Sequence, residues 1–183
     1  FWYDLWVRLQ ANRMNFKFLP LVGMMMVGGA AFGAVPYAGL YQTIDDATNT
    51  PKSIVALYEY GDAQLAGRIV ALYGADGTIA ETVKNPVRVA SHVTGAPKFV
   101  GLDIIWGMQW DADDNRWGDG KIMDPQSGKV YSSVIWRDGA ALNVRGKIGP
   151  FGRTQTWRPL DGEKLPAELQ NLNTQNWTPS TGK

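Results

Sequence analysis

The sequence predicts an all-β protein, an antiparallel up-and-down β-barrel of about eight strands. Between Trp117 and Trp157, short segments rich in β-branched and aromatic residues follow one another, separated by turns of Gly, Pro and Asp. This part of the chain has no long segment of helical periodicity. The 183 residues are enough for one domain with a sizeable core. Eight strands leave a small barrel either filled by side chains or able to hold one small ligand.

The first 34 residues are expected to lie outside the barrel. Met14, the basic Lys17 and an apolar run over residues 18–34 that ends in small residues are typical of a secretory signal peptide with a hydrophobic helix. Residues 1–13 precede this methionine and are interpreted as an upstream segment. A retained transmembrane anchor is the alternative, because an uncharged run of about 17 residues is near the minimum that spans a bilayer. Export predicts a periplasmic or secreted protein.

Residues 35–160 are predicted to form the barrel, and residues 161–183 a polar C-terminal tail. Alternation and turn residues place the strands at residues 39–44, 53–60, 64–73, 99–110, 116–124, 129–136, 141–149 and 152–158. The longest irregular segment, residues 74–97, is interpreted as a functional or flexible loop and a candidate lid. The tail is predicted to have one short helix near residues 166–172 and a frayed end, the alternative being a tail packed through Trp177.

Charge and composition exclude several kinds of partner. The chain has 18 Lys and Arg against 17 Asp and Glu, and without residues 1–34 the net charge is near minus one. Neither a basic field for nucleic acid nor a polybasic stripe for an anionic membrane is therefore expected. The absence of cysteine removes disulfides, thiolate chemistry and zinc–thiolate sites.

The acidic run at residues 111–115 is similar to a calcium-binding loop, but the comparison fails at two diagnostic positions. Arg116 stands where the EF-hand loop requires Gly, and Ile122 where it requires Glu. A solvated hairpin tip is the prediction. His92 is the only histidine, which excludes multi-histidine metal sites. The adjacent Asp45 and Asp46 are interpreted as a turn, since neighbouring strand residues point to opposite faces. We predict no catalytic residues, metal or cofactor.

Two groups of strand residues are candidate ligand contacts. Alternation over residues 99–110 puts Trp106, Met108 and Trp110 on one face, which is the predicted interior. The second group has polar residues within strong strands: Lys121, Arg145, Arg153 and Gln155, with Ser53 and Lys52 earlier in the chain. An arginine that points inward needs a carboxylate, carbonyls, an aromatic face or an anionic ligand as its partner.

The barrel segments resemble one bacterial family. The matching pieces are GLYQTIDD at residues 39–46, PKSIVALYEY at 51–60, LAGRIV at 65–70, VGLDII at 100–105, WGDGKIMDPQSGKVY at 117–131 and VRGKIGPFGRTQTW at 144–157. They resemble domain-of-unknown-function family 2147 (DUF2147), small exported proteins with a lipocalin-like fold. The resemblance implies that fold and an exported location, and no established activity.

The chain departs from the family pattern in two places. Residues 85–97 lack the cysteine pair that many relatives have after the third strand, and Tyr41 replaces the usual Trp. The resemblance implies that Tyr41 and Arg153 close the barrel, with the guanidinium over the aromatic ring. Cation–π attraction to a Tyr is weaker than to a Trp.

Two functional hypotheses remain open after the sequence analysis. In the first, the exported barrel binds a small hydrophobic or amphipathic ligand, such as a lipid, in its interior or at its mouth. In the second, the barrel is filled by its own side chains and acts as an envelope accessory or protein-interaction module. The cavity volume distinguishes the two.

Overall fold

The computed structural model describes residues 36–160 and 165–180, so the predicted signal helix and the upstream segment lie outside the described residues. The described elements are β1 Gly39–Asp45, β2 Thr50–Tyr60, β3 Gln64–Tyr73, β4 Ile79–Thr82, β5 Asp103–Asp111, β6 Arg116–Met123, β7 Val130–Asp138, β8 Ala141–Ile148, β9 Phe151–Pro159 and the short helix α1 Ala167–Gln170. No helix among them is long and apolar enough to cross a bilayer.

Eight of the strands form a closed antiparallel ring. The hydrogen-bonded order is β2-β1-β9-β8-β7-β6-β5-β3, and pairing between β2 and β3 completes the ring. Only β4 lies outside it, as a hairpin partner of the far half of β3. Ring neighbours follow one another along the chain, with β4 and its loop inserted between β3 and β5. The predicted up-and-down barrel of about eight strands is confirmed.

The two ends of the barrel differ in how they are covered. At one end, here named the closed end, Tyr37 donates a hydrogen bond to the Asn115 carbonyl (2.8 Å), and the Trp117 indole donates one to the Pro36 carbonyl (2.9 Å). Residues 36–38 thus lie across this end. The other end, here named the open end, has the turns at residues 46–49, 124–129 and 149–150 and the long segment after β3.

The closed half of the barrel is filled by large side chains. Trp117 and Met108 are fully buried there, and Trp110 packs on Trp117 with ring centroids 5.3 Å apart and edge-on to Tyr37 at 5.5 Å. The Arg137 guanidinium lies 4.9 Å from the Tyr37 ring centroid. Cation–π and aromatic edge contacts therefore seal this end.

A bulge in β5 changes the predicted face of one tryptophan. Gly107 has φ of 68°, a left-handed conformation that glycine adopts without strain. Trp106 pairs with the exposed Lys121, whereas the fully buried Ile105 pairs with Ile122. The expectation that Trp106 shares the inner face with Met108 and Trp110 is therefore wrong, because the bulge interrupts the alternation. The strand also begins at Asp103 rather than at residue 99.

The segment after β3 is more ordered than its sequence indicates. It contains β4, and an isolated bridge joins Val89 to Lys98. Glu81, 6% exposed, accepts hydrogen bonds from the backbone N–H groups of Val87 (2.7 Å) and Arg88 (2.9 Å) and from the Arg88 guanidinium. Burial opposes ionisation of Glu81, but these bonds outweigh it and hold the pKa of its carboxyl below the ordinary value. We name residues 83–102 the roof loop.

The roof loop is fixed against the opposite side of the open end. Gly128, in the β6–β7 turn, has φ of 70°, and a Cβ at this position would lie 2.2 Å from the His92 carbonyl oxygen. The turn and the loop thus meet at backbone distance. Ala90, Val100 and Leu102 of the loop are buried in the main core. His92 itself is exposed.

The C-terminal tail packs on the outside of β2 and β3, so the expectation of a frayed end is wrong for residues 165–180. Leu165 and Leu169 are buried in a second core with outward-facing residues of the barrel: Ile54, Ala56, Val70 and Ala71. Helix α1, which supplies Leu169, falls within the predicted region. This outer face is apolar because the tail covers it, which explains why both faces of β3 are apolar in sequence.

A buried ion pair joins this tail to the barrel. Asp103 is fully buried and accepts two hydrogen bonds of 2.9 Å from Arg68, one from Tyr58 (2.7 Å), and one each from the N–H (2.8 Å) and hydroxyl (3.0 Å) of Ser180. The Arg68 guanidinium also lies 4.3 Å from the Trp177 ring centroid. Burial and the bond to Asp103 raise the pKa of Tyr58, so its phenol remains a donor.

Arg68→Ala is expected to lower the free energy of unfolding by about 3 kcal/mol, because it removes the Arg68 guanidinium from the buried Asp103 carboxylate. Chemical denaturation measures this change. The control is Arg153→Ala, whose exposed ion pair with Asp46 is worth at most about 1 kcal/mol. Equal losses in the two variants would contradict the role given to the buried pair.

Glu81→Gln is expected to loosen the roof loop at neutral pH and to speed its cleavage by a protease. Since the folded pKa of Glu81 is lowered, its stabilising effect is full above the ordinary carboxyl pKa of 4.5 and is lost as the pH falls through the folded value. The difference between wild type and variant in hydrogen exchange at residues 87 and 88 should therefore shrink on acidification. A difference that does not depend on pH would contradict this.

Candidate functional site

The open half of the barrel contains a cavity of about 700 Å³. Strands β3, β5, β6, β8 and β9 and the roof loop supply much of its apolar wall: Ile69, Leu72, Phe99, Ile104, Ile122, Met123, Val144 and Trp157. Strand alternation explains why these strands contribute every second residue to the wall, as with Val144 and Gly146 in β8 and Gln155 and Trp157 in β9. A volume of this size lies within the range of pockets that bind small molecules.

Polar groups lie among the apolar residues of the cavity wall. Thr43 and Ser53 share a hydrogen bond between their hydroxyls at 2.7 Å, and both are buried. Tyr131 and Gln155 also line the cavity. These groups give a mostly apolar chamber a few fixed hydrogen-bonding positions, which is the usual composition of a pocket that orients its ligand.

Charged side chains surround the mouth of the cavity. Lys52 lies 3.7 Å from Asp45, and Arg88 of the roof loop pairs with Glu81. Hydrogen bonds from the backbone N–H groups of Thr48 and Ala47 lower the pKa of Asp45, so it stays ionised. The Lys52–Asp45 pair is solvent-accessible, so it contributes little stability and can exchange partners at small cost.

The wall of the barrel has a short seam between β1 and β9. The two strands pair only at Tyr41 with Pro159 and at Gln42 with Arg158, and Leu160 continues the seam with a bond to the Leu40 carbonyl. Towards the open end the described pairing stops, although both strands still line the cavity. The chamber thus borders a stretch of wall in which β1 and β9 are not paired with each other.

Side chains bridge this stretch of wall. Asp46, in the turn after β1, accepts a hydrogen bond of 2.8 Å from the Arg153 guanidinium, with which it forms an ion pair, and a weaker one of 3.5 Å from Gln155. The Arg153 side chain is 71% exposed, so water screens this pair. The bridge can therefore open without unfolding the barrel.

The predicted closure of the barrel by Tyr41 and Arg153 does not occur. Tyr41 pairs with Pro159, six positions after Arg153 on the same strand, a separation of about 20 Å in an extended chain. Arg153 belongs to the open end and pairs with Asp46, while Tyr41 is buried near the closed end, where burial raises its pKa. The arginine that lies over an aromatic ring at the closed end is Arg137, on Tyr37.

The structure brings four of the candidate ligand residues to the cavity: Lys52, Ser53, Arg153 and Gln155. Met108 and Trp110 lie in the filled half of the barrel. Trp106 is half-buried, shares the face of its β6 partner Lys121, packs against the edge of the main core and does not line the cavity. Arg145 alternates with the inward Val144 and lines a shallow groove on the outside of β6–β8.

Thr43, Arg88 and Phe99 also form part of the cavity wall and were not among the residues singled out from the sequence. Tyr131 and Val144 lie in segments that the sequence predicted to be strands, but the sequence did not show that their side chains point inward. Residues 111–115 form the predicted hairpin tip, in which Arg116 pairs with Asp111 and Asp114. Over residues 36–160 and 165–180, no group of three metal-ligating side chains converges.

Comparison with solved structures shows a likeness of fold. One match is described as protein HP1028 from the human pathogen Helicobacter pylori, which belongs to the lipocalin family. The TM-score is 0.55 at 18% sequence identity, and the match covers 69% of this chain and 84% of that one. No curated protein matches the sequence.

A family comparison covers the whole of the barrel. The match runs over residues 39–158, from the first residue of β1 almost to the end of β9, and includes the strands that line the cavity. The family is described as uncharacterised protein conserved in bacteria. The chain therefore belongs to the bacterial family DUF2147, with a lipocalin-like barrel.

Proposed function

We propose that this protein is an exported carrier that binds a small amphipathic molecule in the open half of its barrel. The observation that carries the proposal is the cavity of about 700 Å³, shielded on the inside of a closed sheet and lined mainly by aliphatic and aromatic side chains. Export is supported by the signal-like residues 18–34. The lipocalin-like fold agrees with a binding role.

The chemistry of the wall favours a ligand with an apolar body and an anionic head. The body is expected to lie against Ile69, Ile122 and Val144, which line the chamber. The head group would lie at the mouth of the cavity, near the cationic side chains of Lys52 and Arg153. In the structure these side chains form ion pairs with carboxylates at the surface. A fatty acid fits this description. Binding rather than catalysis is the proposed activity.

Gln155→Trp is expected to weaken binding of dodecanoate by tenfold or more, since the indole would occupy the chamber into which Gln155 projects. Titration calorimetry and displacement of 1-anilinonaphthalene-8-sulfonate measure the affinity for dodecanoate. The matched control is Thr156→Trp, one residue along β9, where the exposed side chain bonds to Asn143. Equal affinity in both variants, or no binding to the wild type, would contradict the proposal and favour a protein-interaction role.

Arg153→Met is expected to weaken dodecanoate binding by about fivefold, the equivalent of one exposed charge contact, and to leave dodecanol unaffected. The matched control is Arg145→Met, on the outer face of β8. Fluorescence displacement with the two probes measures the difference. A loss of equal size for the charged and the neutral probe would show that Arg153 does not contact the head group.

A further inference from the structure

The tip of the β8–β9 hairpin presents apolar side chains to solvent. Ile148 and Phe151 face each other in register across the hairpin and are 63% and 80% exposed. They are the most exposed large hydrophobic residues in the described chain. Both also border the mouth of the cavity. Gly149 and Pro150 between them add no polar side chain.

The other exposed large hydrophobic residues of the described chain belong to the same end of the barrel. Val130 begins β7, and Val87 and Val89 belong to the roof loop. Exposed apolar side chains that gather at one place on a protein indicate an interaction site, whereas scattered ones do not. The open end is therefore a candidate contact surface.

The described charges are distributed unevenly between the two ends. Strand ends and connections at the open end contain basic residues in excess: Lys52, Lys84, Arg88, Lys98, Lys121, Lys129, Lys147 and Arg153 against Asp45, Asp46, Asp76, Glu81, Asp103 and Asp124. The closed end has the opposite excess: Glu59, Asp62, Asp111, Asp113, Asp114 and Asp138 against Arg116, Arg137 and Arg158. A net charge near zero conceals this polarity.

Two lysines beside the hairpin tip are available to an external anion. Lys147 directly precedes Ile148, and Lys129 directly precedes the exposed Val130. Among the described residues neither forms an ion pair within 4.0 Å. Basic residues that flank exposed aromatic and aliphatic side chains are the combination that binds the interface of an anionic bilayer.

We propose that the open end docks on an anionic phospholipid bilayer, with Ile148 and Phe151 inserted among the head groups and Lys147 and Lys129 on the lipid phosphates. The acidic closed end would then point away from the surface, which favours one orientation. A symmetric contact with a second copy would bring two basic ends together and is opposed by their repulsion. The exposure of both apolar side chains at a two-residue hairpin tip also suits shallow insertion.

The test is co-sedimentation of the protein with vesicles, in the absence of any added ligand. Vesicles of equal parts phosphatidylglycerol and phosphatidylcholine are expected to bind the protein at least tenfold more tightly than phosphatidylcholine alone, and added salt should weaken the binding. The double variant Ile148→Ser, Phe151→Ser and the variant Lys147→Glu should each lose about tenfold. Both exposed hydrophobic side chains lie outside the core, so the variants should fold.

Two matched controls locate the contact. Arg158→Glu reverses a charge on the same hairpin near the closed end and should bind as the wild type does. The chain has no cysteine, so Pro150→Cys and Ala140→Cys allow a single environment-sensitive dye in two-residue hairpin loops at opposite ends. Only the dye at position 150 should shift to the blue on addition of anionic vesicles.

Three outcomes would overturn the proposal. The first is equal binding to neutral and anionic vesicles, and the second is a blue shift at position 140 rather than 150. The third is a concentration-dependent dimer that the double serine variant abolishes, without vesicle binding, which would assign the tip to a second copy. Dodecanoate binding in solution is measured separately, so failure of docking and failure of the carrier function are distinguishable.

Discussion

The meeting of β1 with β9 is the constraint on which the rest of the structure depends. Without it the sheet would be an open ribbon with two exposed edges, and its apolar inner face would have no opposite wall. The seam is short, because only Tyr41 and Gln42 pair with β9. The barrel thus has a shielded interior, and beside the chamber a stretch of its wall is held together by side chains.

The division of the interior into two halves follows from where the large rings are. Trp110 and Trp117 pack against each other beneath residues 36–38 and fill the closed half. In the open half the inward positions carry Ile122, Val144 and Gly146, whose smaller side chains leave the chamber empty. The hypotheses of a filled barrel and of a ligand cavity therefore each describe one half of the molecule.

The elements outside the ring hold the wall of the chamber in place. The roof loop is anchored by Glu81 beneath it and meets the β6–β7 turn at Gly128. On the outside, the tail covers β2 and β3 and is tied to the barrel through Arg68 and Asp103. Both attachments use a buried carboxylate that accepts hydrogen bonds from backbone N–H groups and an arginine, among other donors, an arrangement that stabilises the charge away from water.

The sequence by itself determined the strands, because alternation and turn chemistry are local: β3 has its predicted bounds, and Arg153, Gln155 and Trp157 share a face as their spacing requires. It did not determine which face is inner. The bulge at Gly107 placed Trp106 outside, and the partners of Asp103 and of Asp46 are up to 77 and 109 residues away. Closure of the sheet decides such pairings, since it brings distant segments of the chain together. It also places basic and acidic residues, which nearly cancel in the net charge of the chain, at opposite ends of the barrel.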